Sequence, residues 1–121
     1  MHTYLNPVYL HECADPFVLK YKGEYWCYRT GGASDGRIFG ILRSKDLVHW
    51  QFVGSAMDPL SPPVEHYWAP EVFYANGHFY LYYAAGLGSH FHLRLAVAEQ
   101  PQGPFVDSGK RLTQDPFAID A

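Results

Sequence analysis

The sequence predicts an all-β chain of short antiparallel strands, and three observations carry that prediction. Aromatic residues make up 17% of the 121 residues, as 10 Tyr, 8 Phe and 3 Trp, and such side chains suit a pleated, half-buried surface. Eleven Gly and nine Pro punctuate the chain, as tight turns require. No capping residue is followed by sustained apolar periodicity of 3.6 residues, so no segment reads as a helix.

An internal repeat orders the strands. Residues 14–28, ADPFVLKYKGEYWCY, align with residues 68–82, WAPEVFYANGHFYLY. Setting Pro16 on Pro70 gives an offset of 54, which also sets Val18 on Val72, Gly23 on Gly77, Tyr25 on Phe79 and Tyr28 on Tyr82. Each copy is an apolar segment, a two-residue turn (Lys22-Gly23 or Asn76-Gly77) and an aromatic segment, which is the pattern of a β-hairpin. In the first unit Arg37–Ser44 is the third strand, and a fourth lies around Trp50–Gly54 after the turn at Lys45-Asp46. In the second unit the third strand is His92–Ala98, and Phe105–Gly109 follows the turn Gln100–Pro104. Four strands in about 54 residues match one blade of a β-propeller. The expected boundaries are about 14–56 for the first blade and 68–110 for the second, with a third opening at about 115–121.

Composition narrows the function classes. The chain is long enough for one domain, and 48% hydrophobic against 17% charged residues marks it as globular. Nine basic and twelve acidic residues give a net charge of −3, with no basic run, so neither nucleic acid nor membrane is expected as a partner. The N-terminus Met1–Pro7 lacks a charged segment followed by an apolar one, which slightly favours a cytoplasmic product over a mature or trimmed chain and leaves the compartment open. Cys13 and Cys27 are not a CxxC pair, and Cys27 reads as a buried thiol. Two blades leave two aromatic faces without a neighbour, so the chain is expected to form a homo-oligomer through them.

The start of each repeat carries the candidate chemistry. Asp15, Ala69 and Asp120 are equivalent positions at the first strand of successive units, where propeller side chains converge on the axis. Asp15 and Asp120 sit among Phe, Val and Ile, an environment unlike that of a solvated surface charge. A carboxylate pair facing an axial channel is a standard device for acid–base chemistry on glycosides. The same residues also read as turn or capping aspartates.

With these residues in place, the chain resembles the N-terminal part of glycoside hydrolase family 43. The resemblance rests on Ala14-Asp15-Pro16-Phe17-Val18, Ser44-Lys45-Asp46-Leu47-Val48-His49-Trp50, Tyr67-Trp68-Ala69-Pro70-Glu71-Val72, Gly103-Pro104-Phe105 and Ile119-Asp120, in this order and spacing. It implies a partial five-bladed β-propeller and inverting hydrolysis of arabinosides or xylosides. It makes Asp15 the general base and Asp120 the carboxylate that raises the pKa of the acid. The family's general acid is a Glu of a later blade, so none is assigned here, and the chain alone is expected to be inactive, or active only if another chain completes it. Ala121 stands where the family more often has Pro.

A pentose-containing oligo- or polysaccharide would need an aromatic platform beside these carboxylates. Trp68 is the first choice, with Tyr67, His66, Phe39 and Glu71 as further candidates for lining the site. Trp26 and Trp50 read as packing residues. His90 and His92 share a strand face but lack a third ligand, so no metal is assigned. The resemblance leaves calcium open without naming ligands, and no other cofactor is expected. Two rival readings are a non-catalytic carbohydrate-binding propeller and an oligomerising structural fragment with no sugar site.

Overall fold

The two hairpin turns have the backbone their sequences require. Lys22 and Gly23 take φ of 49° and 77°, and Asn76 and Gly77 take 51° and 77°. Positive φ at both central residues makes each a type I′ turn, whose twist matches that of the strands it joins. The computed structural model describes residues 3–9, 11–32, 35–115 and 117–120. Ala33 and Ser34 of the Gly-rich loop, and Ala121, lie outside the described residues.

Eight strands follow in order: β1 (Phe17–Tyr21), β2 (Glu24–Tyr28), β3 (Ile38–Ser44), β4 (Gln51–Met57), β5 (His66–Ala75), β6 (His78–Leu87), β7 (His90–Ala98) and β8 (Val106–Arg111). They form two four-stranded antiparallel meanders, β1-β2-β3-β4 and β5-β6-β7-β8. Among the described residues there is no helix. Beyond β8, Phe117 bridges to Phe91 in parallel and the Ala118 N–H donates to the Phe91 carbonyl at 3.0 Å.

The sheets pack face to face. Phe17, Leu19, Tyr21, Trp26, Tyr28 and Ile41 of the first join Val72, Phe79, Leu81, Tyr83 and Ala96 of the second in one core. The Tyr21 ring lies 4.9 Å from both Tyr74 and Phe79. Burying one such large side chain contributes about 1.5–3 kcal/mol, which makes this interface the main support of the fold.

Two of the motifs turn out to be structural. In Gly103-Pro104-Phe105, the Phe105 N–H donates to the Ala56 carbonyl at 2.8 Å and ties the second sheet to β4. Gly103 has φ of 83°, and a Cβ there would stand 2.7 Å from the Ala56 oxygen, so the stitch needs glycine. The Tyr28 hydroxyl donates to the Pro101 carbonyl at 2.5 Å in the same seam. In Ser44–Trp50, Asp46 Oδ1 accepts from the Val48 and His49 amides at 2.9 and 2.8 Å, and His49 Nδ1 lies 2.6 Å from Oδ2. The His49 amide, then its ring, then the Val48 amide hold the Asp46 carboxyl well below the usual carboxylate range. Trp50 Nε1 closes the loop onto the Leu47 carbonyl at 3.0 Å.

On the outer face of the second sheet, Phe117 packs on Phe91 at one end, and the rows further from it are exposed or half-buried. Register places Phe73, Tyr80, Val97 and Val106 in one row across its four strands. Phe73 is 60% exposed and Val106 68%.

Candidate active site

The starts of the repeats share an uncommon backbone. Asp15, Ala69 and Asp120 have φ of 47°, 49° and 61°. A left-handed conformation is rare outside glycine, with Asp among the residues that tolerate it best. The three repeat starts thus share a left-handed φ. Ala69 and Pro70 form a bulge, since the ladder shifts register between Trp68 and Glu71. A bulge is where Pro70, with no N–H to give, is tolerated within a strand.

One residue links two of these starts. The Thr30 hydroxyl donates to Asp15 Oδ2 at 2.8 Å and accepts the Ala69 N–H at 2.8 Å. Its own N–H donates to the Ala14 carbonyl at 2.9 Å, and the Gly31 N–H donates to the Tyr67 carbonyl at 3.2 Å. Asp15 is exposed, and its Oδ1 has no partner among the described residues.

Next to Ala69, the Trp68 ring stacks on Phe91 with centroids 4.3 Å apart and planes 16° from parallel. His66 lies 5.1 Å from Trp68 and 6.2 Å from Phe91, so it sits beside the Trp68 ring rather than over its second face. His66 Nε2 is 2.9 Å from Glu65 Oε1. Phe117 meets Phe91 edge-on at 5.4 Å, and three residues later the chain reaches Asp120. Asp120 is exposed, and no described side chain bonds to its carboxylate.

The model of glycosyl hydrolases family 43 matches residues 4–121. The chain belongs to glycosyl hydrolases family 43. A thermostable family-43 glycoside hydrolase is 34% identical and superposes with a TM-score of 0.83, over 98% of this chain and 39% of that one. An endo-1,4-beta-xylanase from Bacteroides thetaiotaomicron is 31% identical with a TM-score of 0.70, over 86% of this chain and 36% of its own. The arabinanase of Bacillus subtilis is 25% identical with a TM-score of 0.73, over 89% of this chain and 42% of its own. The chain therefore spans well under half the length of these relatives. Its two sheets are part of a five-bladed propeller.

Within this family-43 chain, two expected lining residues prove to be core. Phe39 is 0% exposed, with its ring 5.3 Å from Tyr83 and 6.3 Å from Tyr67. It offers no face to a ligand. Tyr67 is 7% exposed, and its hydroxyl accepts the Leu60 and Val64 amides at 2.9 and 3.3 Å. It fastens the connection between the sheets, on the face of β5 opposite Trp68. Glu71 is exposed and pairs across the ladder with Tyr82. The structure thus gathers Asp15, Thr30, Ala69 and Trp68, with His66 at the margin.

Sequence reasoning passed over Thr30. The available signal was the repeat itself, because the offset of 54 sets Thr30 on Ala84, so the unit with a carboxylate also carries a hydroxyl. Among the described residues, no group of three or more His, Cys, Asp or Glu is placed to hold a metal ion. Cys13 and Cys27 are free and line one cavity of about 670 Å³ outside the first sheet. Burial first, and Cys13 second, push the Cys27 thiol up to about 12.

Proposed function

We propose that this chain supplies the water-activating side of an inverting glycosidase site for arabinose- or xylose-containing glycans. Asp15 is the general base: Oδ1, free of protein partners, takes a proton from the water that attacks the anomeric carbon. Trp68 packs its open face on the apolar face of the sugar, with Phe91 behind it. Asp120 is the auxiliary carboxylate, whose negative charge disfavours ionisation of the acid and keeps it protonated. The general acid is assigned to no residue of this chain.

The observation that carries the reading is the shared left-handed backbone of Asp15, Ala69 and Asp120. Asp15 and Asp120 stand at the starts of the first and third units, with Ala69 at the start of the second. The names of the relatives, an arabinanase and an endo-1,4-beta-xylanase, support pentose polymers as the substrate class.

The test is hydrolysis of 4-nitrophenyl arabinofuranoside and xyloside by a protein carrying this chain with its remaining blades. Asp15→Asn is expected to lower kcat by about 10²–10⁴-fold with little change in KM. Proton NMR of the first-formed sugar is expected to show the inverted anomer. Turnover left intact by Asp15→Asn would sink the assignment.

A further inference from the structure

The two repeats differ at two matched positions, and the differences go together. The first unit has Asp15 at its left-handed start and Thr30 at the end of its hairpin. The second has Ala69 and Ala84 at the same two places. The backbone relation is preserved: the Thr30 N–H donates to the Ala14 carbonyl, and Ala84 pairs with Trp68 in the ladder. The fold therefore does not need a hydroxyl at this position. It is present where a carboxylate stands and absent where none does.

We propose that Thr30 is the positioning residue of this site, its hydroxyl locking the Asp15 carboxylate to the first peptide of β5. This rests on the reading of Asp15 as the base. The geometry says what the lock does. A threonine hydroxyl has one proton to donate, and it goes to Asp15 Oδ2 at 2.8 Å. Its lone pair receives the Ala69 N–H at 2.8 Å. One side of the carboxylate is thus engaged, and Oδ1 is left to face water. The same residue pair fixes both chain starts, through Thr30 N–H to Ala14 and Gly31 N–H to Tyr67. Ala69 follows Trp68 directly, so base and platform are set in one frame across the seam between the sheets. A base held in a fixed orientation beside the sugar's stacking surface is what positional catalysis requires, because misplacement by about 1 Å can cost about 10²-fold in rate.

The test is made on the 121-residue chain by NMR and does not depend on turnover. Three-bond couplings about the Asp15 Cα–Cβ bond report its χ1 rotamer. In the wild-type chain they are expected to show one rotamer; averaged couplings would overturn the proposal without any variant. Thr30→Val keeps the shape and removes the hydroxyl. It is expected to average the Asp15 couplings and to raise amide exchange at Ala69 at least tenfold. Thr30→Ser is expected to restore both. A valine variant that frees Ala69 yet leaves Asp15 in one rotamer would reduce Thr30 to a structural tie, and failure of serine to rescue would equally overturn the lock. Because Asp15→Asn turnover is read separately, a wrong base assignment and a wrong lock give different results.

Discussion

The same face of the two sheets meets opposite fates. In the first sheet Leu19, Trp26, Tyr28 and Ile41 lie under the second sheet, with Tyr28 and Ile41 fully buried. Their counterparts 54 positions on, Phe73, Tyr80, Tyr82 and Leu95, are exposed or only half-buried. The residue types scarcely differ: both sets are aromatic and aliphatic. What differs is the neighbour, so in a repeat fold the burial of a residue follows from the unit stacked on it rather than from its own strand.

The largest expected effect separates the two faces directly. Ile41→Ala removes a fully buried side chain between the sheets and is expected to cost about 2–5 kcal/mol in urea unfolding. Leu95→Ala, at the matched position on the uncovered face, is expected to cost about 1 kcal/mol or less. Equal losses would mean that the outer face is covered in solution, and the contrast between the faces would disappear.

This comparison also shows what a single chain can reveal about itself. The offset of 54 and both hairpins were readable because Lys22-Gly23 and Asn76-Gly77 carry the turn chemistry in two adjacent residues. Asp15 and Asp120 were readable as equivalents because the interval from Ala69 to Asp120 is 51, close to the repeat of 54. Tyr67 and Phe39 were misplaced for a reason no local pattern supplies. The bulge at Ala69-Pro70 breaks the alternation along β5, so Trp68 and Tyr67 cannot be sorted to their faces by counting. Phe39 lies next to a Gly-rich loop, a feature that resembles a ligand-binding loop until the packing of Tyr67 and Tyr83 is seen. Thr30 was missed because one hydroxyl has no pattern of its own; only its partners identify it.

A middle-sized effect sets one ion pair of each sheet against the other. In the second sheet Arg94 and Asp107 are 17% and 14% exposed, and Nη2 donates to Oδ2 at 2.6 Å. The Tyr83 hydroxyl donates to the same carboxylate at 2.5 Å. In the first sheet Arg43 and Glu24 pair at 2.7 Å, but the arginine is 44% exposed. Burial pushes the Asp107 carboxyl up, yet Arg94, Tyr83 and the Gly109 amide outweigh it and hold it below the usual range. A carboxyl so lowered adds stability above its unfolded value, near pH 4, and that stability is lost as pH falls through the folded value. Asp107→Asn is expected to cost about 1.5–3 kcal/mol at pH 7 and to flatten the acid limb of the stability curve below about pH 4. Glu24→Gln is expected to change little, because water screens the exposed pair. An acid limb unchanged in Asp107→Asn would show that the pair is not coupled to folding.

The smallest effect concerns the uncovered row itself. Phe73, Tyr80, Val97 and Val106 align across four strands, and a contiguous apolar surface of this kind favours association. Sedimentation velocity over a range of concentrations is expected to show a weight-average mass rising above 13.8 kDa for the wild-type chain. Phe73→Lys places a charge at one end of the row, on the edge strand β5, at a side chain already 60% exposed, so it should leave the Tm nearly unchanged. It is expected to return the mass toward that of the monomer. Leu19→Lys, at the matched position in the buried face, is expected to unfold the chain instead, because its charge would enter the core between the sheets. If Phe73→Lys and wild type sediment alike at every concentration, the row takes no part in association.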